Sequence, residues 1–120
     1  MEIYIKIIIG LVAALHLYFM YFEMFAWTTR GKKVFRSLPE HLFEPTKALA
    51  ANQGLYNGFL SAGLIWSLLI TDLAWAQNIA LFFLGCVAVA GIYGFASTGN
   101  RKILFIQALP AVIGIILLVI

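Results

Sequence analysis

From Ile3 to Trp27 the chain runs through twenty-five residues in which only Lys6 and Glu23 are charged. At ~1.5 Å per residue, a helix of that length exceeds a ~30 Å hydrocarbon core. Three more long apolar runs follow, at about 48–70, 76–96 and 103–120. Overall 63% of residues are hydrophobic and 11% charged, against roughly 45–50% and about 25% in ordinary soluble chains. That excess is too large for one water-exposed core, and it fits helices bathed in lipid. The expectation is an all-α integral membrane bundle of four transmembrane helices, one domain over residues 1–120, with the bilayer as its partner. The first run is expected to be retained. Glu2 accompanies Lys6 at its start, and His16, Tyr18, Tyr21 and Glu23 stand where a signal peptide would have its small-residue cleavage site.

Residues 28–47 form the long polar stretch. They carry a basic cluster and then Leu38-Pro39-Glu40-His41-Leu42-Phe43-Glu44-Pro45. The prolines forbid a long helix. Val34, Phe35, Leu42 and Phe43 predict an amphipathic loop at the membrane surface, and Thr46 is placed to cap the next helix. Residues 71–75 and 97–102 are tight turns, and Trp66 and Trp75 suit an interfacial aromatic belt. Pro110 frees a carbonyl near Ile106 and predicts a kink in the last span.

Seven of the eight basic residues lie in two of the loops: Arg30, Lys32, Lys33, Arg36 and Lys47, then Arg101 and Lys102. The opposite side has only Lys6. Basic loops stay cytoplasmic, so both termini are expected on the outer side of a cell inner membrane. The basic residues suit an anionic lipid surface, and no nucleic-acid interaction is indicated. A single Cys excludes an intrachain disulfide and a thiol-based zinc site. Cys86, among Gly85, Val87 and Ala88, reads as a packing residue.

Within the second run, Ala51-Asn-Gln-Gly-Leu-Tyr-Asn-Gly-Phe-Leu60 is a polar interruption. On a helical wheel Asn52, Tyr56, Gln53 and Asn57 spread over about 140°. Gly54, Gly58 and Ala62 occupy the other side. The first face predicts an internal polar site. The second predicts a close helix contact, either with Ala90, Gly91 and Gly94 of the third span or in a homo-oligomer through Gly54, Gly58 and Ala62.

In the first span His16 and Glu23 share a stripe two turns apart, or ~10 Å along the axis, so a water, a ligand or another residue must bridge them. Glu23, Gln53, Asn57, Tyr93 and Gln107 all fall within about one to two and a half turns of the cytoplasmic ends of their spans. The candidate ligand-binding set is therefore His16, Glu23, Asn52, Gln53, Tyr56, Asn57, Tyr93 and Gln107. A carboxylate within a span is costly and points to function, such as proton exchange or ligand binding. Plainer roles compete. Glu23 can reach the interface and pair with Arg30 or Lys33, His16 can be a satisfied core group, and the amides can simply bond helices together at about 1 kcal/mol each. One intramembrane His and one Glu make no metal site. No cofactor is indicated, and no catalytic constellation can be read.

At Phe22-Glu23-Met24-Phe25-Ala26-Trp27 and Asn52-Gln53-Gly54-Leu55-Tyr56-Asn57-Gly58-Phe59 the chain resembles the bacterial membrane family catalogued as domain of unknown function 1304. The resemblance covers nearly the whole length. It implies a small inner-membrane protein of four helices and implies no activity. Two four-span groups of known activity offer architectural analogies. Small multidrug resistance transporters have a first-span carboxylate, an analogy Glu23 invites. Theirs lies nearer mid-membrane, and many insert both ways, whereas the basic bias here favours one orientation. Membrane enzymes of eicosanoid and glutathione metabolism have outward termini and a basic residue, an Asn and a Glu in their second span. Lys47 and Asn52 echo two of these, but Leu55 stands where the Glu is expected. Architecture alone carries no activity.

Three functions compete on this footing. The first is binding or transport of a small polar or amphipathic ligand in the cytoplasmic half. The second is an enzyme acting on a lipid or a thiol conjugate. The third is a structural protein whose polar residues only join helices.

Overall fold

Gly31, Asp72, Gly99 and Asn100 mark where helices end or begin. In the computed structural model, which describes residues 1–120, the chain is all-α and has no strands. Helix α1 spans Ile3–Phe25, the short α2 Gly31–Val34, α3 Lys47–Leu69 and α4 Leu73–Thr98. Helix α5 is Arg101–Ile103, a π-helical turn covers Leu104–Ala108, and α6 is Leu109–Val119. A 3₁₀ turn at Glu40–Leu42 follows Pro39.

Three helices are long and apolar enough to cross a membrane: Ile3–Phe25, Leu73–Thr98 and the run Arg101–Val119. Helix α3 equals α1 in length at 23 residues but is not among them. Asn52, Gln53, Tyr56 and Asn57 dilute its apolar character.

The boundaries differ from the sequence expectation for local reasons. Helix α1 stops at Phe25 instead of Trp27, because Gly31 N–H folds back to donate to Ala26 O at 2.6 Å. A Cβ at Gly31 would lie 2.8 Å from that oxygen, so only glycine permits the approach. Helix α4 extends past the expected 76–96 at both ends. Asp72 caps its start by accepting from Trp75 N at 2.9 Å, and Gly99 ends it in the left-handed conformation at φ 71°. Asn100 then caps α5 through Lys102 N at 3.0 Å.

Pro110 acts through the π turn just before it. Leu109 N–H donates to Leu104 O, an i to i−5 bond. A wider turn accommodates the ring and the N–H that proline lacks.

Contacts within the chain gather into two units, Met1–Ala14 with Leu60–Ile120, and Leu15–Phe59. The first unit has an apolar core. Ile5, Ile9 and Val12 on α1 recur at helical spacing, as do Ala80, Leu84, Val87 and Ala88 on α4, joined by Leu64 and Ala111. Ser61 Oγ donates to Ala13 O at 2.8 Å, satisfying the hydroxyl. Small residues set the closest approaches, since a Cβ on Gly91 would come within 2.7 Å of Ala108 N and one on Gly94 within 2.9 Å of Ile103. These glycines therefore pack against the last helical run. Cys86 is half-buried, where a fully buried packing residue was expected. It lies on an open apolar face of α4 with Phe82, Val89 and Tyr93.

The second unit is held by aromatic rings from the loop. Trp27 meets Phe35 at 5.3 Å and Phe43 at 4.8 Å between ring centroids, and Phe43 is 1% exposed. So Phe35 and Phe43 fold onto the chain's own rings, while Val34 stays exposed. Thr46 O accepts from Ala50 N at 2.8 Å, as an N-cap carbonyl does. Its hydroxyl does not cap α3. It accepts from Trp27 Nε1 at 3.0 Å and donates to Leu42 O at 2.7 Å, pinning the loop.

Candidate functional site

The second unit brings three of the candidate residues into direct contact. Glu23 lies on α1 and is 4% exposed. Its Oε2 accepts from Gln53 Nε2 at 2.7 Å, and its Oε1 accepts from Asn57 Nδ2 at 2.5 Å. The two amides stand four residues apart on α3, hence one above the other on a single face. Each carboxylate oxygen so receives a donor of its own. Bonds to an ionised acceptor are shorter and stronger than neutral ones, which offsets part of the cost of burying the group.

The glycines of the same stretch make this possible. A Cβ on Gly54 would lie 2.7 Å from Met24 Cγ, 3.0 Å from Glu23 Cβ and 3.2 Å from Met20 O. A Cβ on Gly58 would lie 2.8 Å from Met20 Sδ. Gly54 and Gly58 therefore let α3 approach α1 closely enough for the amides to reach the carboxylate. The amide face and the glycine face, read from the sequence as opposite walls, meet in one seam. Gln53 and Asn57 flank it, and the glycines line it. Met20 and Met24 fill the space the glycines leave, a role the sequence reading did not assign. Their i, i+4 spacing matches that of Gly54 and Gly58, which is the signal that could have revealed it.

The other candidates are placed differently. His16 is fully buried on α1, with its ring edge-on to Phe19 at a centroid distance of 5.6 Å. Asn52 is exposed on α3. Tyr56 is 59% exposed, and its ring lies edge-on to Phe59 at 5.7 Å. Tyr93 and Gln107 belong to the first unit. Tyr93 is 73% exposed on the apolar face of α4, and Gln107 is half-buried in the π turn. Arg30 donates to Tyr21 Oη at 3.2 Å, and Lys32 pairs with Glu40 at 3.7 Å. The bland pairing of Glu23 with Arg30 or Lys33 is thus not the one observed.

Chemically, the cluster is one carboxylate and two primary amides. It can hold a proton, accept hydrogen bonds or attract a cation. It contains no nucleophile with an adjacent base.

The uncharacterised protein YpaA of Lactococcus lactis subsp. lactis (strain IL1403) is 33% identical over 115 residues, covering 93% of this chain and 94% of that one. No solved structure matches. The profile of the family described as protein of unknown function (DUF1304) matches residues 10–119, which include Glu23, Gln53, Asn57 and both glycines of the seam, so the chain belongs to that family.

Proposed function

We propose that this is a four-span protein of the cell inner membrane, with both termini outward, that binds or transports a small polar or amphipathic ligand at Glu23. In this reading α3 is the remaining span, and its polar residues are tolerated because two of them are spent on Glu23. The observation that carries the proposal is a buried carboxylate inside a span, held by two amides from a second helix. Amide–amide bonds alone would join helices at about 1 kcal/mol each. A carboxylate adds a desolvation cost that a purely structural joint does not need. Proton-coupled flux in proteoliposomes is the test. Glu23→Gln keeps the size but removes the charge and replaces one accepting oxygen by an N–H2 group, and it is expected to abolish flux. Unchanged flux would remove Glu23 from the role.

A second reading rests on the same two bonds, because both link α3 to α1. There the cluster is a structural fastener. It predicts that Asn57→Leu lowers the thermal midpoint and that no ligand raises it.

A further inference from the structure

The hydrogen-bond inventory of the cluster bears on what kind of ligand it takes. A carboxylate has about four lone-pair sites, and each amide has two N–H donors and one carbonyl oxygen. Two donors are spent on Glu23. Two N–H groups then remain against two free carboxylate sites and two carbonyl oxygens. The cluster carries one negative charge when Glu23 is ionised, and amides stabilise that charge without neutralising it. In a low-dielectric setting a second anion would be repelled strongly, and a cation attracted equally strongly.

Access has a direction. Glu23 itself is buried, but Gln53, which covers its Oε2, is exposed. On α3 the residues one turn before and after Gln53 are Leu49 and Tyr56, which are 72% and 59% exposed. An apolar residue and an aromatic ring thus flank the exposed one of the two amides on the buried carboxyl group. Gln53 has a long, unbranched side chain, and its amide makes a neutral-donor bond. That bond is already charge-assisted when Glu23 is ionised, but an ammonium N–H on the same oxygen would add the attraction of an opposite full charge, which the amide lacks. The Tyr56 ring offers a face to a cation or to an apolar body.

We propose that the ligand is an amphipathic organic ammonium whose cationic head displaces the Gln53 amide from Glu23 Oε2 while its apolar body lies along Leu49 and Tyr56. This rests on the reading of Glu23 as a ligand site and narrows it to one charge class. No bond is made or broken covalently.

The experiment uses the full chain in a non-ionic detergent and three probes with one apolar body: 4-phenylbutylammonium, 4-phenylbutanol and 4-phenylbutanoate. Equilibrium dialysis measures saturable binding of each. The ammonium is expected to bind at least tenfold tighter than the alcohol and the carboxylate. Glu23→Gln is expected to erase that preference. Tyr56→Leu, at a position 59% exposed, is expected to weaken the ammonium several-fold with helicity unchanged. Tyr56→Leu thereby keeps the test valid if Glu23→Gln fails to fold. If the alcohol or the carboxylate binds as tightly, and Asn57→Leu removes that binding, the ligand site stands and the cation class is overturned. If none of the three binds saturably, both the class and the ligand-site reading fall.

Discussion

Helices α1 and α3 each contribute to both units, and they bury different chemistry in each. In the first unit α1 offers Ile5, Ile9, Val12 and Ala13 to an apolar core, and α3 offers Leu64. In the second, α1 buries His16 and Glu23, and α3 answers with two amides and two glycines. The first arrangement depends on shape, because a small residue must sit wherever a neighbouring helix comes close. The second needs small residues at Gly54 and Gly58 as well, and adds a condition of valence, because each carboxylate oxygen must find a donor. Shape-dependent packing should fail steeply when volume is added. Valence-dependent packing should fail when a partner is removed and recover when the partner's hydrogen-bonding capacity is restored.

The largest effect is expected from added volume in the first unit. Gly91→Leu would drive a side chain into the Ala108 backbone, whose nitrogen lies 2.7 Å from the first added carbon. Backbone cannot move aside as a flexible side chain can, so the cost should reach about 3 kcal/mol or more. Thermal unfolding in detergent reads it, and a midpoint within a degree or two of the parent would break the contrast.

Removal of the carboxylate comes next. Glu23→Ala leaves Gln53 and Asn57 facing a partnerless space, at a cost of about 1–3 kcal/mol. Glu23→Gln should restore part of that loss, because one accepting oxygen remains and the new N–H2 can donate once Gln53 or Asn57 turns its own amide oxygen inward. A Glu23→Gln protein as unstable as Glu23→Ala would mean that charge, not bonding capacity, holds the seam.

Asn57→Leu removes one of the two donors and should cost about 1–2 kcal/mol, the value of one buried bond to a charged group less the gain in apolar contact. A double-mutant cycle with Glu23→Gln should show the two losses to be non-additive.

Smaller again is Trp27→Phe. The ring contacts with Phe35 and Phe43 can persist, and only the bond to Thr46 Oγ1 is lost. The expected cost is about 1 kcal/mol, visible mainly as faster amide hydrogen exchange in the loop over residues 28–46. The smallest change belongs to Lys32→Ala. Its partner Glu40 is 83% exposed on the side chain, and such pairs contribute between about 0 and 1 kcal/mol, so the thermal midpoint should barely move.

The helices were legible in the sequence because length, apolarity and end signals are local. Asp72, Gly99, Asn100 and the prolines mark where helices start and stop, and their side chains and backbone do so within a few residues. The family, too, followed from Phe22–Trp27 and Asn52–Phe59. Glu23, Gln53 and Asn57 were recognisable as costly groups that needed partners. Their partnership was not. Nor was the separation of Asn52 and Tyr56 from the seam, or the seating of Met20 and Met24 on Gly54 and Gly58.

The sequence by itself determined which segments are helical and which angles separate residues on each one, since 3.6 residues per turn is a property of the backbone. Only the tertiary structure decided how far each helix is rotated about its own axis against its neighbour. That rotation turns the sector containing Gln53, Gly54, Asn57 and Gly58 toward α1 and leaves Asn52 and Tyr56 exposed. The physical reason is that the rotation is chosen by two helices together. It is the setting at which the glycines admit Met20 and Met24 and the amides reach both oxygens of Glu23, and neither helix alone contains that condition.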